Sequence, residues 1–261
     1  MNVKITLNQK VQFKEPYLIC GLPGIGHVGK VTIDYLIKDL NAVLLGEVYS
    51  HFFPSYVIIN KDGIVELMKN ELYFWKDKKF KHDLILFTGN TQAVSPEGQF
   101  IIAEEVLNTI LTFGVKKLYS IAAYVGDKPI EIPRVYGAAT DPILIEEMKT
   151  YGVLPMENGN IGGTNGLIFG LAKIKELNGM CLLGETRGYQ TPSGHTVVDI
   201  KAARAVLNIL TQMLDIQVDM APIESQVDQT SKFITQLEEA EKLMLKQTQN
   251  TTPKNVSRYI S

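Results

Sequence analysis

The stretch Gly21-Leu-Pro-Gly24-Ile-Gly26-His27-Val-Gly29-Lys30 constrains the fold more than any other part of the chain. It follows the apolar run Tyr17-Leu-Ile-Cys20, which has the length of a short buried strand. It precedes Val31 to Leu40, where Val31, Ile33, Tyr35, Leu36, Ile37 and Leu40 fall mostly at helical spacing. The glycines therefore occupy a strand-to-helix turn. Glycine tolerates positive φ and lets backbone approach backbone. The helix N-terminus behind it offers unpaired N–H groups that suit an anion.

Two phosphate-binding patterns overlap in this turn. Gly24-x-Gly26-x-x-Gly29 fits the dinucleotide fingerprint, and Glu47 ends the next apolar run at roughly the ~20-residue distance where a ribose-binding acid would stand. Pro23 lies inside the turn, however, and a strand-rich segment follows where the next βαβ unit belongs. Gly21-x-x-x-x-Gly26 begins like a P-loop, but His27 and Val28 stand where the phosphate-gripping Lys and the magnesium-binding hydroxyl are needed. A tight turn that packs a helix on a sheet is the favoured reading.

The remaining elements follow from periodicity and punctuation. Residues 1–14 alternate through Val3, Ile5, Leu7, Val11 and Phe13, which predicts an edge strand or hairpin. Ala42 to Val48 is a strand. Phe52-Phe53-Pro54-Ser55 reads as a turn with exposed aromatics. Val57–Asn60 and Ile64–Met68, joined by Lys61-Asp62-Gly63, form a hairpin. Leu72–Trp75, Asp83–Thr88, Lys117–Ala123, Val135–Thr140 and Met180–Gly184 are further strands. Ser95-Pro96-Glu97 opens a helix that Gly114 stops, Asp141-Pro142 opens another, and Asp199 caps a third that runs to Leu214. The glycine-rich stretch Asn158–Gly166 is expected to be loop, with a helix from Leu167 to Leu177.

This alternation of strands and helices with an antiparallel insert predicts an α/β fold: a mixed central sheet covered by helices on both faces, within one domain at 1–218. A charged helix at 222–247 carries Val227, Thr230, Ile234, Leu237, Glu241 and Met244 at spacings of three and four, a short coiled-coil-like seam. It packs on the core or on another copy. Residues 248–261 are polar and form a flexible tail.

Composition excludes several classes. The net charge is −2 with no basic stripe, so no nucleic-acid partner is expected. No apolar run approaches the ~20 residues that span a bilayer, and the N-terminus lacks a signal sequence, so a cytoplasmic protein is expected. Cys20 and Cys181 lie in apolar runs and read as buried free thiols. His27, His51, His82 and His195 are scattered without metal-ligand spacing, so no metal and no cofactor are expected. No catalytic set emerges. Gly24, Gly26 and Gly29, with Asn90, Gln92, Arg134, Asn165, Glu185 and Arg187 at strand ends and glycine turns, are the candidate ligand loop. They either line a polar pocket at the sheet edge or make hydrogen bonds that pack the loops.

Five blocks carry a wider resemblance: GLPGIGHVGK (Gly21–Lys30), TGNTQAVSPEGQF (Thr88–Phe100), PRVYGAATD (Pro133–Asp141), GNIGGTNGLIFGLA (Gly159–Ala172) and CLLGET (Cys181–Thr186). In this order the chain resembles the proteasome assembly chaperone family, in its archaeal branch. The resemblance implies a three-layer α/β/α fold like that of nucleoside phosphorylases. It also implies a non-enzymatic homo-oligomer that associates with proteasome α-subunits or a second assembly-chaperone subunit. Docking relatives end in a hydrophobic residue, Tyr and any residue, whereas here Arg258 precedes Tyr259, which is third from last. Val256, Tyr259, Ile260 and Ser261 are the candidate partner-binding tip. The alternative function is a small-molecule or nucleotide-binding enzyme of phosphorylase-like fold that uses the Gly24–Gly29 loop.

Overall fold

The computed structural model describes residues 2–78, 81–126, 132–191 and 194–250, with side chains through Gln236 in the last segment. Part of the basic turn at 76–81, most of the loop at 127–133 and the whole tail tip, Val256 to Ser261, lie outside the described residues.

A nine-stranded sheet runs through the molecule in the order β1 (Val3–Leu7), β3 (Val43–Ser50), β6 (Asn70–Trp75), β7 (Leu84–Gly89), β2 (Tyr17–Cys20), β8 (Lys117–Val125), β11 (Asn178–Thr186), β9 (Val135–Ala139) and β10 (Leu154–Pro155). β7, β2, β8 and β11 are mutually parallel; β6, β3 and β1 extend the sheet antiparallel on one side, and β9 pairs antiparallel with β11 on the other. The parallel centre is buried on both faces. Leu18, Ile19 and Cys20 of β2 are all fully buried, which is why this strand reads as a continuous apolar run rather than an alternating one.

The two faces carry separate cores. Leu18, Cys20, Ile85, Phe87 and Leu118 point to one layer, closed by α2 (Pro96–Leu111) and α4 (Gly163–Ile174). Ile19, Leu84, Leu86, Ile121 and Leu182 point to the other, closed by α1 (Val28–Asp39), α3 (Pro142–Lys149), α5 (Ile200–Leu214) and the start of α6 (Ala221–Asn250). The mixed sheet between helix layers is the fold expected from the sequence. The helix starts are set locally: Ser95 Oγ accepts from the Gly98 N–H at 3.1 Å, Asp141 Oδ1 from Ile143 at 2.8 Å and Asp199 Oδ1 from Ala202 at 2.9 Å.

Two expectations need correction. Phe52 and Phe53 do not form an exposed turn. Phe53 is 6% exposed in the first core, and the Phe52 ring is half-buried against the glycine at 98. The glycine-rich stretch is not loop to its end, because α4 already begins at Gly163. Glycine disfavours helix, but a Cβ at Gly166 would lie 1.9 Å from the Ile161 carbonyl, so the incoming loop crosses the first turn of α4 too closely for any other residue. β3 does not lie beside β2, as the next strand of a βαβ dinucleotide unit would: it is three strands away, beyond β6 and β7, on the antiparallel side of the sheet. Glu47 is there ion-paired with Lys69 at 2.6 Å.

α6 docks through Ile223 and Val227, both buried on α5, and half-buries Thr230 and Ile234. The first part of the expected seam thus packs on the body; the side chains of Leu237, Glu241 and Met244 lie outside the described residues.

Candidate functional site

The glycine loop is built for close packing. Gly21 and Gly29 face each other where α1 descends on the sheet: a Cβ at Gly21 would meet the Gly29 carbonyl oxygen at 2.3 Å, and a Cβ at Gly29 would meet the Ile121 carbonyl oxygen at 2.5 Å. Between them the chain makes a 3-10 turn at Ile25–His27, with Gly26 at φ 59° and His27 at φ 50°. The Gly26 carbonyl accepts from the Asp199 N–H at 2.8 Å, and Asp199 Oδ2 accepts from the Thr186 hydroxyl at 2.6 Å. Gly24 is extended and open, with no atom closer than 4.0 Å to a built Cβ.

Asn165, at the start of α4, clamps this loop to the other helix layer. Its Oδ1 accepts from the Leu22 N–H at 3.0 Å and its Nδ2 donates to the Leu22 carbonyl at 3.2 Å. Its own carbonyl accepts from the Ser120 hydroxyl at 2.6 Å. Gln92 makes a second bridge: its Nε2 donates to the Pro23 carbonyl, and its Oε1 accepts from the Thr164 N–H at 2.7 Å.

A cavity of about 290 Å³ lies between these groups, lined by Gly24, Gly29, Asn165, Gln92, Ile161 and Gly163 among others. No ionisable side chain lines it among the described residues. His27 stands nearby, its imidazole held below the usual histidine range by burial and by Lys30. The cavity offers backbone dipoles and amides but no general acid, base or nucleophile. The buried thiols add none. Burial pushes Cys181 up to about 12 and Cys20 higher still, so neither is a thiolate at neutral pH.

The other predicted ligand-loop residues go elsewhere. Glu185 forms a bidentate pair with Arg134, with Oε2 to Nε at 2.9 Å and Oε1 to Nη2 at 2.6 Å, and also accepts from the Arg134 N–H at 3.1 Å. These bonds hold the Glu185 carboxyl below the usual carboxylate range. The Arg134 guanidinium lies over the Tyr136 ring at 5.3 Å. Asn90 Oδ1 accepts from the Lys69 N–H at 3.0 Å, where the end of β7 lies beside the start of β6. Arg187 lies over Tyr189 at 5.9 Å. Gly24, Gly29 and Asn165 are thus brought together, while Gly26, Asn90, Arg134, Glu185 and Arg187 do not line their cavity. Among the described residues no group of His, Cys, Asp and Glu side chains could hold a metal ion, and no helix is long and apolar enough to cross a membrane.

A larger groove, about 760 Å³, opens at the antiparallel end of the sheet. Tyr49, Phe53, Tyr56, Val57, Leu67 and Met68 supply its apolar lining, with Lys4 and His51 beside them. Its wall is the hairpin β4 (Val57–Ile59) and β5 (Val65–Leu67), which forms a separate two-stranded sheet. Asn60 Oδ1 accepts from the Asp62 and Ile64 N–H groups at 3.0 and 2.9 Å and shapes its turn.

A profile of the PAC2 family matches residues 18–238. The chain belongs to the PAC2 family. Among solved PAC2-like structures, Pyrococcus furiosus PbaB, described as an archaeal proteasome activator, is 35% identical, covers 91% of this chain and 99% of its own, and superposes with a TM-score of 0.83. Pyrococcus furiosus PbaA, described as an archaeal homolog of proteasome-assembly chaperone, is 25% identical over 97% of this chain and all of its own, with a TM-score of 0.73. An uncharacterized protein of Methanocaldococcus jannaschii is 34% identical over 99% of this chain and 98% of its own. These matches place the chain among proteasome assembly chaperone relatives, as the five sequence blocks implied.

Sequence reasoning missed the groove. The hairpin was legible, but an exposed apolar hairpin and a buried one have the same composition. A second signal was available: both strands are apolar at nearly every position while the Asp-Gly turn keeps the hairpin too short to reach a core.

Proposed function

We propose that this PAC2 member is a non-catalytic, self-associating adaptor that binds proteasome α-subunits, or a second assembly-chaperone subunit, in the cytoplasm. The observation that carries the reading is the likeness to PbaB, 35% identity along nine-tenths of the chain, with a protein described as an archaeal proteasome activator. The glycine loop supports it. The side-chain amides of Asn165 and Gln92 are taken up by backbone partners, and the cavity between them has no charged lining. In this reading residues 1–218 fold as one unit, α6 carries the tail outward, and Val256, Tyr259, Ile260 and Ser261 form the docking tip. A polar tail with an apolar tip is individually weak, and several on one oligomer bind through avidity.

The test is a pull-down of proteasome α-subunits and of assembled 20S particles by the full chain. Co-elution at micromolar concentration is expected. Failure with both, in a preparation that binds a known tail peptide, overturns the reading. Thermal-shift screening with nucleotides and phosphate tests the alternative of a small-molecule enzyme. A Kd tighter than ~10 μM would stabilise the fold by several kcal/mol at millimolar ligand and would favour that alternative.

A further inference from the structure

Val57 pairs with Leu67 and Ile59 with Val65 across the β4–β5 hairpin, so the four side chains share one face. That face is uncovered: Val57 is 46% exposed, Leu67 60%, Ile59 67% and Val65 60%. Tyr56, Ile58 and Ile64 beside it are exposed as well. The hairpin has three residues per strand and makes no hydrogen-bonded ladder with the main sheet. A lone two-stranded hairpin is marginal in water, so an arm like this needs cover. Val57, Ile59, Val65 and Leu67 thus make a contiguous exposed apolar face, of the kind that marks a protein–protein contact.

The arm stands beside a groove of the same chemistry. Val57 and Leu67 at its base form one wall, and Tyr49, Phe53 and Met68 line the rest. Convex arm and concave groove on one chain are self-complementary, and a two-fold exchange covers both at once and closes. Charge agrees with this. Lys4 stands at the groove, while the arm carries Asp62 and Glu66 against Lys61. We propose that the β4–β5 arm of one copy seats in the Tyr49–Phe53–Met68 groove of a second copy of this chain. The inference deepens the self-association reading above and rests on it.

Sedimentation velocity of the full chain at micromolar concentration tests it, with three variants. Ile59→Lys with Val65→Glu charges the arm face but keeps a cross-strand ion pair. Tyr49→Lys charges the groove. A truncation ending at Thr235 keeps the packed start of α6 and removes the rest. The wild-type chain should be oligomeric. The arm and groove variants should each associate at least about tenfold more weakly, with wild-type circular dichroism and melting, while the truncated chain keeps its mass. An arm or groove variant that keeps the wild-type mass overturns the arm-in-groove seat. If the mass falls on truncation alone, the chain self-associates through α6 and only this inference fails. A monomeric wild type overturns both readings, including the case where the arm amides become protected from exchange only when proteasome α-subunits are added.

Discussion

Asn165 and Leu22 exchange two hydrogen bonds across 143 residues of sequence, the side-chain amide of one mimicking a strand partner for the backbone of the other. The pairing fastens the loop after β2 to the first turn of α4, and so joins the two helix layers through the edge of the sheet.

Asn165→Ala should therefore lower stability by about 2–3 kcal/mol, because it leaves the buried Leu22 N–H and carbonyl without partners. Asn165→Asp should cost a similar amount, since it turns the donor facing the Leu22 carbonyl into an acceptor. Urea unfolding with an unchanged m-value is the measurement.

The glycines of the loop should separate into two groups. Gly29→Ala forces a Cβ against the Ile121 backbone and is expected to cost at least about 2–3 kcal/mol. Gly26→Val combines a strained φ of 59° with a 3.1 Å contact to Asp199 Cβ and should also destabilise. Gly24→Ala meets nothing within contact and should stay within about 0.5 kcal/mol of wild type. A nucleotide-binding loop would behave differently, with Gly24→Ala abolishing ligand-induced stabilisation. Thermal melts of the three variants with and without nucleotide decide between the two.

Glu185 should make stability depend on acid. Its carboxyl is depressed in the fold by the Arg134 hydrogen bonds, so the pair stabilises above the unfolded carboxylate value of ~4.3 and loses that contribution as pH falls through the lower folded value. Arg134 is 59% exposed on its side chain, and solvent screens the pair. Glu185→Gln should lower the melting temperature at pH 7, and the gap to wild type should narrow steadily below pH ~4. A gap that stays constant down to pH ~2.5 would mean the carboxylate charge is not what stabilises this corner.

Deleting Arg258 to Ser261 should weaken association with assembled 20S particles on the order of tenfold or more, because avidity multiplies the loss of each tip. Wild-type binding must be measured first. Binding unchanged by the deletion would move the docking element to the folded body.

The sequence by itself determined most of the elements and several of their ends. Ser95, Asp141 and Asp199 announced their helices because capping is a contact of two or three residues. The apolar run at Tyr17–Cys20 announced a strand buried on both faces, and Asp62-Gly63 announced a hairpin. The five blocks implied the PAC2-type fold before any coordinate. Tertiary structure alone decided which strands are neighbours, and with that the fate of the motif at Gly24–Gly29. Of the glycines that spell a dinucleotide fingerprint, Gly29 packs against the sheet backbone where α1 crosses it while Gly24 stays open, and β3 lies on the antiparallel side of the sheet instead of beside β2. It also decided that Phe53 is inside and Ile59 outside, although both are apolar residues next to turns. Burial at those positions depends on what the rest of the chain brings to lie against them, and neither periodicity nor propensity carries that information over long separations.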